Sequence, residues 1–168
     1  MERVLRFIDN LSELQGKVFS FLIFVATLQI CYELTRRYAF NAPTSWGLEL
    51  TEYLCAVTYI MGGAYAHRFD AHIRVDILYM HWSPRTKALV DIFVTNVFFF
   101  FFVGVLVWQS SIWTLEALER HATSGTVWDP PVWPMRLSLF LGAVFLALQG
   151  IAKLIRDIYT AFGKRAET

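Results

Sequence analysis

Two groups of polar side chains flank an apolar stretch in the first half of the chain. Glu49 and Glu52 precede residues 53–66, which carry no charge, and a mixture of His, Arg and Asp follows at residues 67–76. Glu49 and Glu52 are three residues apart, so they share a face if this stretch is helical. Carboxylates at membrane depth are costly and usually face protein or water rather than lipid. The pattern therefore favours a helix with a protein partner.

The second polar group could be interpreted as a metal site. Its candidate ligands are His67, Asp70, His72 and Asp76. His72 and Asp76 share a helical face, but Arg68 and Arg74 lie among the candidates, and no Cys or third His has ligand spacing. We therefore expect a turn or short helix at a membrane surface, without a metal and without any other cofactor.

The composition is that of a membrane protein. Of 168 residues, 56% are hydrophobic and 17% are charged, whereas a soluble domain carries about 25% charged residues. The charges lie between four apolar windows, and a net charge of +1 gives no reason to expect nucleic acid as a partner. We predict an all-α integral membrane protein that forms a single domain, residues 1–168, with four transmembrane helices. The predicted spans are about 18–38, 46–67, 86–108 and 134–155.

The third helix is predicted to be longer than its span. Ser83 and Pro84 are typical of a helix start, and Ser124 followed by Gly125 is typical of a stop. A helix over residues 84–122 would extend about 58 Å, and the hydrocarbon core is about 30 Å thick. Its last turns should therefore project from the membrane, beside the proline-rich and tryptophan-containing loop at residues 126–136.

The first 16 residues form an amphipathic pattern. Apolar side chains lie near one helical face, among them Val4, Ile8 and Leu11. This segment is predicted to be a helix in the membrane interface, and the alternative is an extension of the first span into the cytoplasm. It has no short apolar core followed by a small-residue cleavage motif, so we do not expect a removed signal peptide.

The distribution of Lys and Arg predicts the orientation. Eleven lie in the N-terminal segment, the connection between spans two and three, and the C-terminal tail, whereas four lie on the opposite side. The positive-inside rule then places both termini in the cytoplasm. Glu49, Glu52 and the 126–136 loop would face the opposite side of the membrane.

Three local features concern the connection between the first two spans and the packing of the second. Glu33 can pair with Arg36 or Arg37 at helical spacing. Thr44 or Ser45 can cap the second span. Gly62 belongs to a strip of small residues that would let another helix approach closely.

Several short motifs, taken in order, resemble one family of transport proteins. They are Arg37-Tyr38 with Phe40-Asn41, Trp46 with Glu49, and Ala66-His67-Arg68 with His72-Ile73-Arg74-Val75-Asp76. In these residues, in length and in the number of spans, the chain resembles the small membrane subunit (DctQ-like) of tripartite ATP-independent periplasmic (TRAP) transporters. The stretch from Trp128 to Pro134 resembles the subgroup associated with uptake of mannitol, chloroaromatic compounds or 2-oxo acids.

The resemblance implies partners and a location. The small subunit would bind a large elevator-type membrane subunit (DctM-like), which holds the sodium and substrate sites, in a bacterial inner membrane. A periplasmic substrate-binding protein (DctP-like) would deliver an organic acid. In keeping with this, the chain has no pair of Gly- or Pro-interrupted spans of the kind that form midplane transport sites.

The leading hypothesis is thus a scaffold that is not an enzyme and has no catalytic, metal or substrate site. The residues predicted to form an interface with a partner protein are Arg37, Trp46, Glu49, Glu52, Gly62, His72 and Asp76. Those predicted to receive the binding protein, named here the docking rim, are Glu116, Glu119, Arg120 and Asp129.

Two other classes of function remain open at this point. An autonomous small carrier could use Glu33 as its coupling acid, although that residue lies close to two arginines. A membrane redox subunit with b-type haem would need axial histidines within the bilayer. All four histidines, at positions 67, 72, 81 and 121, lie outside the apolar windows, which disfavours that class.

Overall fold

A computed structural model describes residues 2–69, 86, 90, 92, 93 and 96–162 of the chain. These residues form four long helices, α1 (Glu2–Tyr38), α2 (Gly47–Arg68), α3 (Asn96–Glu119) and α4 (Trp133–Phe162). Apart from one antiparallel bridge between Thr123 and Pro131, this part of the chain has no β-structure. The all-α prediction is therefore confirmed.

Three helices are long and apolar enough to cross a membrane, over Arg3–Tyr38, Asn96–Glu119 and Trp133–Thr160. The 22-residue α2 is also long enough, because its length of about 33 Å exceeds a hydrocarbon core of about 30 Å. However, the most apolar part of α2 is less hydrophobic than that of these three helices, since it contains glycines, threonines and tyrosines. By hydropathy, α2 is therefore not among the helices that can be assigned as spans. The chain is thus a helical membrane protein, and a fourth span at α2 stays a prediction.

The helix boundaries follow the predicted spans closely at α2. The C-terminal helix α4 continues beyond the predicted end of its span at residue 155, as far as Phe162. The third helix ends at Glu119, shortly before the predicted end at residue 122. Its predicted start at Ser83 and Pro84 lies outside the described residues.

The helices pack through small side chains. Ala26, Ala64, Ala117, Ala143 and Ala152 are all at most 2% exposed. Two glycines of α4 continue this pattern, because Gly142 lies against Ile60 of α2 and Gly150 lies against Phe99 of α3. Membrane helices commonly pack in this way, since small residues allow the backbones to approach closely.

The four helices have a middle pair and two flanking members. α2 and α4 pack against each other, α1 packs mainly on α2, and α3 packs on α4. The connections at residues 39–46 and 120–132 lie together at one end, which we name the loop end. The other end, named the terminal end, brings Asp9, Arg68 and Arg156 together. Both ends of the described chain therefore lie on the same side of the bundle.

No break separates the N-terminal segment from the first span, because α1 is continuous over 37 residues. The structure thus has the helical extension rather than a separate interface helix. Val4 and Leu14 are each 62% exposed on its outer side. The polar residues Ser12 and Gln15 are buried instead, where they meet α4 and α2.

Candidate partner-facing surfaces

The carboxylate of Glu33, near the end of α1, holds the connection to α2. It accepts hydrogen bonds from Thr44 N at 3.3 Å, from Thr44 Oγ1, and from Arg37 Nη2 at 3.2 Å. Thr44 Oγ1 also accepts a hydrogen bond from Gly47 N at 3.0 Å, so it caps the first turn of α2, although Trp46 occupies the N-cap position. Of the two predicted arginine partners, Arg37 pairs with Glu33, and of the two predicted capping residues, Thr44 bonds the first turn of α2.

Two further contacts fix the same connection against α1. The indole of Trp46 stacks on the ring of Tyr32, with centroids 6.0 Å apart and an interplanar angle of 20°. Arg36 Nε donates a hydrogen bond to Ala42 O at 3.2 Å. Arg37 keeps about half of its side chain exposed, so it can still reach a partner.

Glu49 and Glu52 play different parts in the structure. Glu49 joins α2 to the second connection, because Thr126 Oγ1 donates a hydrogen bond to its Oε2 at 2.6 Å. Tyr53 OH donates to its other carboxylate oxygen at 3.3 Å. Glu52 is exposed. That both acids meet a partner protein stays a prediction.

The connection between α3 and α4, residues 120–132, is ordered by its own hydrogen bonds. Backbone bonds run from Ser124 N to Pro130 O at 3.0 Å and from Val132 N to Ala122 O at 3.1 Å. The bridge described above reinforces them. Val127, near the tip, is 90% exposed. Backbone hydrogen bonds therefore order this connection, which also contains Pro130 and Pro131.

All four residues of the docking rim are exposed. Glu116 and Glu119 lie on the last turns of α3, and Arg120 follows directly. Asp129 also has a structural role, since its Oδ1 accepts a hydrogen bond from Gly125 N at 2.9 Å. Both residues have a positive φ. Asp129 is therefore less free to meet a partner than the other three.

The terminal end contains a polar network that the sequence did not predict. Asp9 Oδ2 pairs with Arg156 Nη2 at 2.5 Å, and Asp9 Oδ1 accepts a hydrogen bond from Gln149 Nε2 at 3.1 Å. Gln149 is 1% exposed, and its Oε1 accepts a hydrogen bond from Ser12 Oγ at 3.0 Å. Arg68 Nη1 donates to Asp9 O at 2.8 Å. One acid of α1 thus connects α2 and α4.

A second acid of α1 extends this network. Glu13 Oε2 accepts a hydrogen bond from Arg68 Nη1 at 2.7 Å, and its other oxygen pairs with Lys17 at 2.7 Å. The only sequence signal for the network was the isolated Gln149 inside an apolar span, together with acids in an amphipathic segment. Neither shows which helices meet, so the partners could not be assigned.

A groove opens between α1 and α2 on the outer surface of the bundle. It has a volume of about 230 Å³ and is lined by Gly16, Lys17, Ser20, Thr58, Gly62 and Tyr65. We name it the α1–α2 groove. A Cβ atom built on Gly62 would have no heavy atom within 4 Å. Gly62 is thus open to the outside, whereas Gly16 lies close beneath the ring of Tyr65.

The outer surface of α3 has a different character. It consists of large apolar side chains, including Phe98 at 71%, Phe101 at 74% and Trp108 at 71% exposure. Gly104, in the middle of this surface, also has open space around its Cβ position. The two surfaces therefore differ in side-chain size and polarity, although both expose a glycine.

The structure brings together part of the predicted partner interface. Arg37, Trp46, Glu49 and Glu52 all lie at the loop end. Gly62 is far from them along α2, in the α1–α2 groove. The remaining predicted members, His72 and Asp76, lie outside the described residues. Across residues 2–69 and 96–162, the structure has no group of three His, Cys, Asp or Glu side chains that could hold a metal ion.

Comparison with known proteins gives one family. The model of the family described as "Tripartite ATP-independent periplasmic transporters, DctQ component" matches residues 26–160. This range includes the loop end, α2, α3 and nearly all of α4, and it leaves out the part of α1 that contains Asp9. A comparison with curated proteins found no match.

Proposed function

Because the chain belongs to the DctQ family, the small membrane component of TRAP transporters, we propose that it is a scaffold without a transport site of its own. In this proposal it binds the large, DctM-like membrane subunit and helps a DctP-like periplasmic protein to deliver substrate. The sodium and substrate sites lie in the large subunit. The substrate is an organic acid, and the 2-oxo acids are the first class to test.

The family match is the observation that carries this proposal. The helices support it, since α1, α2, α3 and α4 are each uninterrupted within their bounds. Transporters usually form midplane sites from broken helices, whose free backbone groups bind ions and substrates. Gln149, a buried polar side chain of α4, is instead engaged with Ser12 and Asp9.

We further propose that the chain spans an inner membrane four times, with the terminal end in the cytoplasm. The distribution of Lys and Arg supports this orientation. The docking rim would then face the periplasm, beside the ordered 120–132 connection. An ordered loop loses little conformational entropy when a partner binds. The charges of Glu116 and Glu119 would mainly affect the rate at which the binding protein associates.

An autonomous carrier is the alternative function. It would need a coupling carboxylate that can gain and lose an ion during each cycle. Glu33 is committed to Arg37 and Thr44, and these bonds hold the connection between α1 and α2. This engagement favours the scaffold.

Reconstitution in liposomes tests the proposal. The chain alone, with an inward sodium gradient and a panel of labelled 2-oxo, hydroxy and dicarboxylic acids, should show no uptake. Uptake should require the large subunit and the binding protein as well. Sodium-driven uptake by the lone chain would overturn the scaffold assignment, as would full uptake by the large subunit and binding protein without this chain.

The same assay tests the docking rim. Reversing Glu116 and Glu119 to Lys should lower uptake at limiting binding protein about tenfold, with recovery at saturating binding protein. Arg3→Glu, an exposed charge reversal at the terminal end, is the control and should leave uptake unchanged. Equal uptake by both variants at low salt would exclude the rim as a docking surface.

A further inference from the structure

We infer that the α1–α2 groove and the adjoining outer side of α2 receive a transmembrane helix of the large subunit. The inference rests on the proposed function and names a surface for it. It starts from the composition of α2, which is long enough to cross a bilayer, although its most apolar 18 residues are less hydrophobic than those of the other three helices. Such a helix needs protein around it, and α1 and α4 cover only part of its circumference.

The middle of α2 exposes a polar group to the outside. Tyr59 is 73% exposed, and its hydroxyl has no hydrogen-bond partner among the residues that the structure describes. A phenol at this depth usually has a partner, because an unpaired polar group in hydrocarbon costs free energy. One turn further along the helix, Gly62 lies open in the groove. The side of α2 that carries Tyr59 thus offers an unused hydrogen bond next to a gap.

The shape of the groove fits a helix. Gly62 lacks a side chain and has open space beside it, and Ser20 and Thr58 add short hydroxyl-bearing side chains, whereas Gly16 is already covered by the ring of Tyr65. Each hydroxyl donates within its own helix, Ser20 Oγ to Lys17 O and Thr58 Oγ1 to Leu54 O, so each oxygen can still accept a bond. Small and hydroxyl-bearing residues are typical of helix–helix contacts in membranes.

The outer surface of α3 is the internal comparison. Its phenylalanines and Trp108 expose bulky apolar groups of the kind that lipid solvates well. A surface of that composition has no need of a protein cover. The chain thus has one outer surface suited to lipid and another suited to a second helix.

A pair of glycine substitutions tests this inference, since both glycines are outward-facing and open. Gly62→Leu would fill the groove, and Gly104→Leu, on the surface of α3, is the matched control. Both variants should keep the thermal stability of the isolated chain. Gly62→Leu should reduce recovery of the large subunit by affinity purification about tenfold, because an added side chain prevents close helix packing. Gly104→Leu should recover it normally.

The outcomes separate this inference from the proposed function. If the wild-type chain recovers no large subunit, the scaffold proposal itself fails. If the wild type and both variants recover it equally, the scaffold proposal stands and the groove is not the contact. If Gly104→Leu but not Gly62→Leu prevents recovery of the large subunit, the contact lies on α3 and the inference is overturned. If Gly62→Leu abolishes cross-linking between two copies of this chain but leaves recovery of the large subunit unchanged, the groove binds a second copy and the inference is overturned.

Discussion

The two ends of the bundle are stabilised in different ways. At the terminal end, Asp9 and Arg68 connect helices that are distant in sequence. At the loop end, Glu33 and Glu49 connect helices to loops, and most of these contacts are local. The terminal end thus determines how the helices are arranged, whereas the loop end determines how the chain turns between them.

This difference has an energetic consequence. The Asp9 network is largely shielded, with the side chains of Asp9 and Arg68 only 17% and 22% exposed. Charged groups that lose a partner in such a setting remain desolvated, which is costly. At the loop end, Glu33 is also shielded, with 10% of its side chain exposed, but the hydrogen bond between Thr126 and Glu49 lies at the surface, where water can replace it. Loss of the Asp9 charge should therefore have a larger effect than loss of the Glu49 carboxylate.

Asp9→Asn should cause the largest loss of stability. The substitution retains the shape of the side chain but removes the charge that pairs with Arg156 and faces Arg68. We expect a loss of about 2 kcal/mol, below the value for a fully buried pair, since the Arg156 side chain is 41% exposed. Thermal unfolding in detergent measures it. Glu119→Gln, an exposed charge at the other end, is the control, and an equal effect of both would contradict the comparison.

Gly47→Ala should have an intermediate effect at the loop end. A Cβ at this position would lie 2.5 Å from both Glu33 Oε2 and Thr44 Oγ1, so it would displace the carboxylate that holds the connection. We expect a loss of about 1.5 kcal/mol in the same assay. Gly63→Ala, in the same helix but with open space around it, should instead stabilise by about 0.5 kcal/mol. Stabilisation by both substitutions would show that the contact is unimportant.

Glu49→Ala should have the smallest effect and the most local one. It removes the acceptor for Thr126 Oγ1 at a cost of about 1 kcal/mol. Hydrogen exchange should become faster at the amides of Ser124 and Val132, which hold the 120–132 connection together. Glu52→Ala, an exposed acid one turn away, should leave these amides unchanged. Faster exchange throughout α4 would mean that Glu49 stabilises the whole bundle, contrary to the comparison.

The predictability of the structure differed between the same two ends. Helical periodicity, capping residues and i, i+4 spacing are local signals, so the partner of Glu33 could be narrowed to Arg36 or Arg37 and the cap of α2 to Thr44 or Ser45. The contacts of Asp9 with α2 and α4 involve sequence separations of 59 and 147 residues. No periodicity indicates which face of one helix meets which face of another. For the same reason, the sequence showed that Gly62 belongs to a strip of small residues but not that the space beside it is open.

The continuous α1 has a consequence for the surrounding bilayer. Its 37 residues extend about 55 Å, and large apolar side chains are exposed from Val4 at one end to Tyr38 at the other. A hydrocarbon layer of about 30 Å cannot cover that length with the helix upright, so α1 must tilt or extend beyond the layer. Because Asp9 is joined to Arg68 and Arg156, α1 cannot tilt alone, and α2 and α4 must tilt with it. Any tilt that a change in membrane thickness imposes on α1 therefore changes the orientation of the whole bundle.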